Sequence, residues 1–380
     1  MKRHNVLFKI TPRVFLILIA AGILCQSLRS YSLGSGTTIL SSCNNHAIAI
    51  QPQFQDIVVK ELSNAQIQYA PKAALAFLMD IDSVSVVAVS SSKNGQVTRP
   101  LGDLEAPYEV GSVMKPLTLA AALDTGAVTA DYTYYDRDFV TVSGRRILNA
   151  RSQGVATKNI SDVINFSLNT GAVNILSKIG NDGLGSNSRR IWYAYMTQVY
   201  HFGGSTCSAL TGRKPYVPPP DVVDARFRYA QTAYGMGLTI TPLQLAAAYS
   251  LLMRSTETAS TTNTNQTSPR TQQGLQLSSE TNRLIKQMLI KSYEKNLPHG
   301  VIPGYISGGK SGTAPIAQPD GTYDPTKNYG TYIGFVGKEG PRYILYVRLA
   351  EPVTSDYASR AAAQVWSNIF SSLSKVNLLR

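Results

Sequence analysis

The chain has 380 residues, 43% hydrophobic and 16% charged, with a formal net charge of +13 at pH 7. Such a composition supplies one large core or two modest ones, which excludes a chain that is disordered throughout. The positive charge would suit nucleic acid, anionic lipid or an anionic polymer equally, but zinc-finger spacing and the interleaved aromatic and basic residues that stack bases are both missing, which argues against nucleic acid as a partner.

Lys2, Arg3, Lys9 and Arg13 precede an apolar run from Val14 to Cys25, the pattern of an export signal. The run is shorter than the roughly 20 residues that span a bilayer comfortably, yet no small-x-small cleavage site follows it cleanly. Residues 1–30 are therefore read as a cytoplasmic tail and single-pass membrane anchor, with a cleaved signal peptide as the alternative. The basic flank stays inside, which places the rest on the outer, periplasmic or extracellular, side of the cytoplasmic membrane. Of the three cysteines, Cys25 lies in the apolar run behind the bulky Leu24, which argues against lipoprotein processing. Cys43 and Cys207 either pair in an oxidising exterior or remain two thiols. His4, His46, His201 and His299 stand at no ligand spacing, so neither a metal nor another cofactor is expected.

Residues 31–56 are rich in Ser, Gly, Asn and Gln and read as a tether, with the folded domain expected over residues 57–378. The apolar run Leu75–Ser90, interrupted at Asp80–Asp82 and followed by Lys93-Asn94-Gly95, predicts a hairpin. Helical runs follow over Met114–Leu123, Ile160–Ile179 and Thr241–Met253. Residues 254–274 are a low-complexity Ser/Thr/Asn/Gln stretch expected to be a mobile loop. Strands are then predicted over Tyr305–Ile316, Thr331–Val336 and Tyr343–Leu349, the last two joined by the turn Lys338-Glu339-Gly340-Pro341. In a final helix, Ser359–Leu373, the residues Ala362, Val365, Ile369 and Leu373 form an apolar stripe. No internal repeat is visible. Strands first and last with helices between predict an α/β sandwich: an antiparallel sheet drawn from both ends of the folded part, with flanking helices and an inserted helical subdomain.

Three short strings carry the chemistry. Ser112-Val113-Met114-Lys115 puts a hydroxyl and an amine at i and i+3, where helical side chains meet. Serine is a poor nucleophile without a base in reach. Lys115 can serve as that base only if its pKa falls several units from about 10.4, through burial and a nearby cation; Lys310 is the candidate cation. Gly111 is read as leaving room for a ligand to approach the backbone, and Pro116 as leaving one early helix carbonyl without its usual donor. Ser167 and Asn169, at i and i+2, can share a cleft only from a turn or loop. Asn169 suits a peptide amide, and Ser167 can relay a proton; the alternative is a helix cap. Gly308-Gly309-Lys310-Ser311-Gly312-Thr313 is a strand weakened by glycine, as close approach of another backbone requires. An extended peptide could pair along it while Lys310 and the hydroxyls of Ser311 or Thr313 hold a carboxylate. The N–H groups of Ser112 and Thr313 are read as oxyanion donors, with Gly312 between the substrate-binding residues.

The set S-x-x-K, S-x-N and K-S-G-T, in this order, resembles that of penicillin-binding proteins and class A β-lactamases. The stretch from Tyr108-Glu109-Val110-Gly111-Ser112 through Lys115-Pro116 is similar to the nucleophile segment of class B penicillin-binding proteins, with Val110 in place of the usual proline. Tyr234-Gly235-Met236-Gly237, Thr241-Pro242-Leu243-Gln244-Leu245-Ala246, Lys310-Ser311-Gly312-Thr313-Ala314 and Gly334-Phe335-Val336-Gly337 extend the likeness over about residues 75–375. The resemblance implies a penicillin-binding-protein/β-lactamase-like transpeptidase sandwich with a five-stranded antiparallel sheet. It also implies D,D-transpeptidation of peptidoglycan stem peptides through a Ser112 ester, with β-lactams trapping the same serine. Class B members carry a large pedestal ahead of this domain; here about residues 26–72 are available, so a reduced or absent pedestal is expected. With no room for a glycosyltransferase domain, a membrane-embedded glycan polymerase is the expected partner. The alternatives are a D,D-carboxypeptidase or β-lactamase of the same fold, with water as acceptor, or a non-catalytic β-lactam sensor or wall-bound scaffold.

Overall fold

The computed structural model describes residues 31–33, 37–41, 47–98, 100–204, 212–254, 276–318, 322–354 and 356–379. The anchor expected over residues 1–30, Cys43, Cys207 and nearly all of the low-complexity stretch 254–274 lie outside the described residues. Among the described residues, no helix is long and apolar enough to cross a membrane.

Three short strands, β1 (Tyr31–Leu33), β2 (Thr37–Ser41) and β3 (Ala47–Ala49), lead into helix α1 (Pro52–Tyr69). Pro52 suits a first helical turn because its φ is preset and its missing N–H would have no partner there. These strands and the start of α1 fall within the stretch that composition reads as a tether. Residues 73–80, Ala-Ala-Leu-Ala-Phe-Leu-Met-Asp, are apolar almost without a break, as a strand covered on both faces requires. They form β4 (Ala73–Asp80), joined to β5 (Val86–Lys93) by a turn in which the Asp80 carboxylate accepts from the N–H groups of Asp82 and Ser83. Asn94 and Gly95 then turn the chain into the short β6 (Gln96–Val97), which pairs with β5.

The middle of the chain holds α2 (Pro100–Leu104), α3 (Lys115–Asp124), α4 (Ile160–Asn165), α5 (Asn169–Leu176), α6 (Ser186–Ala194), α7 (Ala225–Thr232), α8 (Pro242–Met253) and α9 (Ser279–Asn296). Two small antiparallel ribbons flank them: β7 (Thr133–Asp136) with β10 (Ala156–Asn159), and β8 (Phe139–Val142) with β9 (Arg145–Leu148). The sheet is completed by β11 (Ile306–Ala317), β12 (Tyr323–Gly337) and β13 (Tyr343–Ala350), and α10 (Ala358–Lys375) closes the chain.

The sheet order is β1-β2-β3-β5-β4-β13-β12-β11. Its centre, β5-β4-β13-β12-β11, is the antiparallel five-stranded sheet that the sequence predicts from both ends of the folded part. Among the described residues the full sheet is larger, with nine strands, and mixed, because β3 meets β5 in a parallel bridge at Ile48 and Val86. The added strands escape a sequence reading because, at two to five residues each, they are too short for a period of two to show.

Two cores lie on the two faces. Ala74, Ala76 and Leu78 of β4, with Leu345, Val347 and Leu349 of β13, face α1 and α10. The stripe Ala362, Val365, Ile369 and Leu373 packs there, with Trp366 donating its indole N–H to the Leu345 carbonyl at 2.8 Å. The alternate residues Leu75, Phe77 and Met79, with Ile344 and Tyr346, face α3, α5, α8 and α9. The period of two along both strands sorts the side chains to opposite faces. Edge strand β11 borders the helical subdomain, which puts the active site candidate at the seam between them.

Candidate active site

The helix predicted over Met114–Leu123 begins with a 3₁₀ turn, Gly111–Met114, and the reason is Pro116. With no N–H at 116, the Ser112 carbonyl has no i+4 donor; it accepts instead from the Lys115 N–H, at i+3. The carbonyl expected to lack a donor is thus satisfied. Side chains at i and i+3 eclipse in a 3₁₀ turn, and Lys115 Nζ lies 2.8 Å from Ser112 Oγ.

Gly111 corrects a second expectation. Its φ is +63°, and a Cβ there would come 2.7 Å from the Thr313 carbonyl oxygen. The close approach it permits is to strand β11 of the same chain, not to a ligand. On its other side Gly111 donates to the Gly235 carbonyl at 3.0 Å, and a Cβ on Gly235, φ +80°, would fall 2.1 Å from the Gly111 oxygen. Two glycines therefore let the nucleophile turn lie flat between β11 and the Tyr234–Gly237 segment.

The helix predicted over Ile160–Ile179 is broken in two. Ser167 adopts the left-handed region, φ +58°, between α4 and α5, a conformation uncommon outside glycine and concentrated at functional sites. The break aims both its carbonyl and its hydroxyl at Lys115, whose Nζ is 2.6 Å from Ser167 O and 3.1 Å from Ser167 Oγ. Asn169 opens α5, and its Oδ1 accepts from Lys115 Nζ at 2.8 Å while its Nδ2 donates to the Leu148 carbonyl at 2.9 Å. Neither side chain caps the helix, whose N-cap is Leu168.

Lys310, on β11, reaches the same point: its Nζ is 3.1 Å from Ser167 Oγ and 2.8 Å from the Ser311 carbonyl. Both lysines are buried, while Ser112 is partly open. Burial, then the charge of Lys310, holds Lys115 well below the usual lysine range. Burial brings Lys310 down to about 7. Ser311 and Thr313 are partly exposed on β11, and Gly312 is buried where a Cβ would meet Val110 O and Val113 N at 3.1 Å.

Sequence reasoning passed over the residues that hold the turn. Tyr249 and Tyr200 donate to the carbonyls of Val113 and Leu117, each at 2.8 Å. Glu109 accepts from the Gly237 N–H at 2.6 Å and from the Tyr323 hydroxyl at 2.7 Å, tying the nucleophile segment to the loop behind it and to the β11–β12 hairpin. Burial raises its carboxyl. The quoted string Tyr108-Glu109 was the available signal.

Residues 74–371 match the family described as penicillin binding protein transpeptidase domain, and the chain belongs to that family. Stage V sporulation protein D of Bacillus subtilis is 25% identical over 347 residues, 85% of this chain and 52% of that protein. The probable peptidoglycan D,D-transpeptidase PenA of Neisseria flavescens is 25% identical over 336 residues, 82% of this chain and 77% of that protein. The peptidoglycan D,D-transpeptidase FtsI of Escherichia coli K12 is 24% identical over 350 residues, 86% and 55% of the two chains. The chain spans about half the length of the first of these relatives. Among solved structures, the transpeptidase domain of Burkholderia pseudomallei penicillin-binding protein 3 superimposes with a TM-score of 0.68 at 24% identity, covering 87% of this chain and 96% of that one. Penicillin-binding protein 3 of Mycobacterium tuberculosis gives 0.69 at 19%, covering 89% and 82%. These superpositions establish the α/β transpeptidase fold.

Proposed function

We propose that this chain is a peptidoglycan D,D-transpeptidase that cross-links stem peptides through an ester on Ser112. One observation carries the reading: Lys115 Nζ sits within 3.1 Å of Ser112 Oγ, Ser167 O, Ser167 Oγ and Asn169 Oδ1. A neutral amine has two N–H donors and one lone pair. Ser167 O and Asn169 Oδ1 can only accept, so they take the two N–H groups, and the lone pair is left facing the Ser112 hydroxyl. Burial, with no carboxylate partner among the described residues, supports the neutral form.

Ser112 Oγ attacks the carbonyl of the penultimate D-alanine as Lys115 takes its proton. The N–H groups of Ser112 and Thr313 receive the developing oxyanion, a contribution of roughly 3 to 4 kcal/mol per donor. Collapse expels D-alanine, whose amine takes the proton from Lys115 by way of Ser167 Oγ, which lies 3.1 Å from both lysine nitrogens. An amine of a neighbouring stem peptide then attacks the ester and gives its proton to Lys115, which passes it to Ser112 Oγ, 2.8 Å away, as the ester bond breaks and the serine is regenerated. Lys310, with the hydroxyls of Ser311 or Thr313, holds the terminal carboxylate, and a β-lactam takes the donor's place.

Labelling with a fluorescent penicillin, parent against Ser112→Ala, tests the nucleophile: persistent label on the variant sinks it. Incubating a stem peptide with an added amine tests the acceptor, since products of hydrolysis alone would point to a carboxypeptidase or β-lactamase. Residues 1–30 would hold the domain at the outer face of the membrane; a chain lacking residues 1–30 that still sediments with membranes would count against this. A membrane-embedded glycan polymerase would supply the strands, and absence of any such protein from crosslinked complexes of the full chain would remove it.

A further inference from the structure

A carboxylate outside the three strings is wired to the first turn of α5. Asp136, at the end of β7, is buried, and it accepts from the Thr170 hydroxyl at 2.7 Å, the Tyr134 hydroxyl at 3.3 Å, Asn149 Nδ2 at 3.4 Å and the Asp138 N–H at 2.8 Å. All four partners are neutral donors, so the carboxylate is held by hydrogen bonds alone. It also lies beside the amino end of α5, where backbone N–H groups favour a negative charge. Asn149 completes the clamp, its Oδ1 accepting from the Thr170 N–H at 3.2 Å. The residue before it, Leu148, offers the carbonyl that fixes Asn169 Nδ2. Gly171 belongs to the same arrangement, because a Cβ there would meet the Tyr134 hydroxyl at 2.3 Å. The first three residues of α5 are thus each set by the β7–β9 ribbons, and the first of them, Asn169, touches Lys115.

We propose that Asp136 and Asn149 are positioning residues for the reaction at Ser112. Through Thr170 they fix the rotation of the first turn of α5, so that Asn169 presents Oδ1, and not Nδ2, to Lys115. Turned amide-first, Asn169 would set a donor against the amine and leave its lone pair free to turn away from Ser112. This inference rests on the proposed role of Lys115, and it extends the site to a ribbon that touches none of the reacting atoms.

The test follows acylation of the full chain by a fluorescent penicillin over a range of pH, with thermal unfolding in parallel, for the parent, Thr170→Val, Thr170→Ser, Asp136→Asn and Ser112→Ala. Val removes the hydroxyl and keeps the shape; Ser keeps the hydroxyl. Misplacing Asn169 lowers the plateau acylation rate by roughly 10- to 100-fold. Losing the Oδ1 acceptor also disfavours the charged amine, so the acid limb of the profile moves to lower pH in Thr170→Val and Asp136→Asn and stays in place in Thr170→Ser. Lys310 is the charged group facing Lys115 and is unaltered in these variants, so it does not cause the shift. Parent rates in Thr170→Val, or a lower rate with an unmoved limb, would overturn the positioning role. Should Asp136→Asn fail to fold, the Thr170 pair decides alone. A parent that is not labelled at Ser112 would instead sink the underlying reading of the site.

Discussion

Replacing Lys310 by methionine isolates what the second cation does to the first. Each amine lies 3.1 Å from Ser167 Oγ, so the two are at most about 6 Å apart. At an effective dielectric constant near 20, two unit charges at that distance repel by roughly 3 kcal/mol, or about 2 pK units. Burial still lowers Lys115 in the variant, but the contribution of Lys310 is gone, so the Lys115 pKa rises. Because Lys310 itself sits at about 7, the full repulsion acts below that pH and a part of it above. The acid limb of the acylation rate constant should therefore move up by about 1 to 2 units, with a roughly 10- to 100-fold loss of rate at pH values on that limb. Stopped-flow labelling with a fluorescent penicillin separates this from weaker carboxylate binding, which appears in the half-saturating concentration and not in the saturated rate. A limb that stays in place or moves down would refute the electrostatic coupling.

Three further expectations follow from the geometry. Gly235→Ala drives a Cβ to 2.1 Å from the Gly111 oxygen at a φ of +80°, and should abolish labelling and lower the thermal midpoint; parent-like labelling would show that the turn is not clamped there. Trp366→Ala removes an indole packed against Tyr293, Tyr332 and Phe370 and its bond to Leu345. A loss of about 3 to 5 kcal/mol in urea unfolding is expected, with the labelling rate of the folded fraction unchanged, since α10 lies on the face away from Ser112. Burial raises Glu105 to about 7, so its contribution to stability is fully present below the ordinary carboxyl range and is lost as pH rises through about 7. Glu105→Gln should accordingly gain in thermal midpoint over the parent near pH 8 and match it near pH 4.5; equal midpoints at both would contradict the shift.

The legible parts of this protein were those with local causes. The i, i+3 spacing of Ser112 and Lys115 was visible, as were the strands and the α10 stripe, because the periods of two and 3.6 are written in consecutive residues. The break at Ser167 was hidden inside an apolar run that reads as one helix, since a left-handed serine carries no compositional mark. Gly111 was read as room for a ligand because its neighbour, the Thr313 carbonyl, lies two hundred positions away in sequence. The ribbons β7–β10 are four residues each, too short for alternation to declare itself. Helix α9 went unread, although Ile285, Met288, Leu289 and Tyr293 stand at helical spacing on one buried side. Asp136 could not have been found, as its partners Asn149 and Thr170 become neighbours only after folding.

Strand β4 is joined to its neighbour β13 in a pairing that runs from Asp80 against Tyr343 to Ala73 against Ala350. A polypeptide still being made has no β13 to offer, nor Lys310 near Ser167, and its Lys115 is wetted and fully protonated. The serine motif, made first, thus waits for a partner strand and a cation that lie far downstream of it in the sequence.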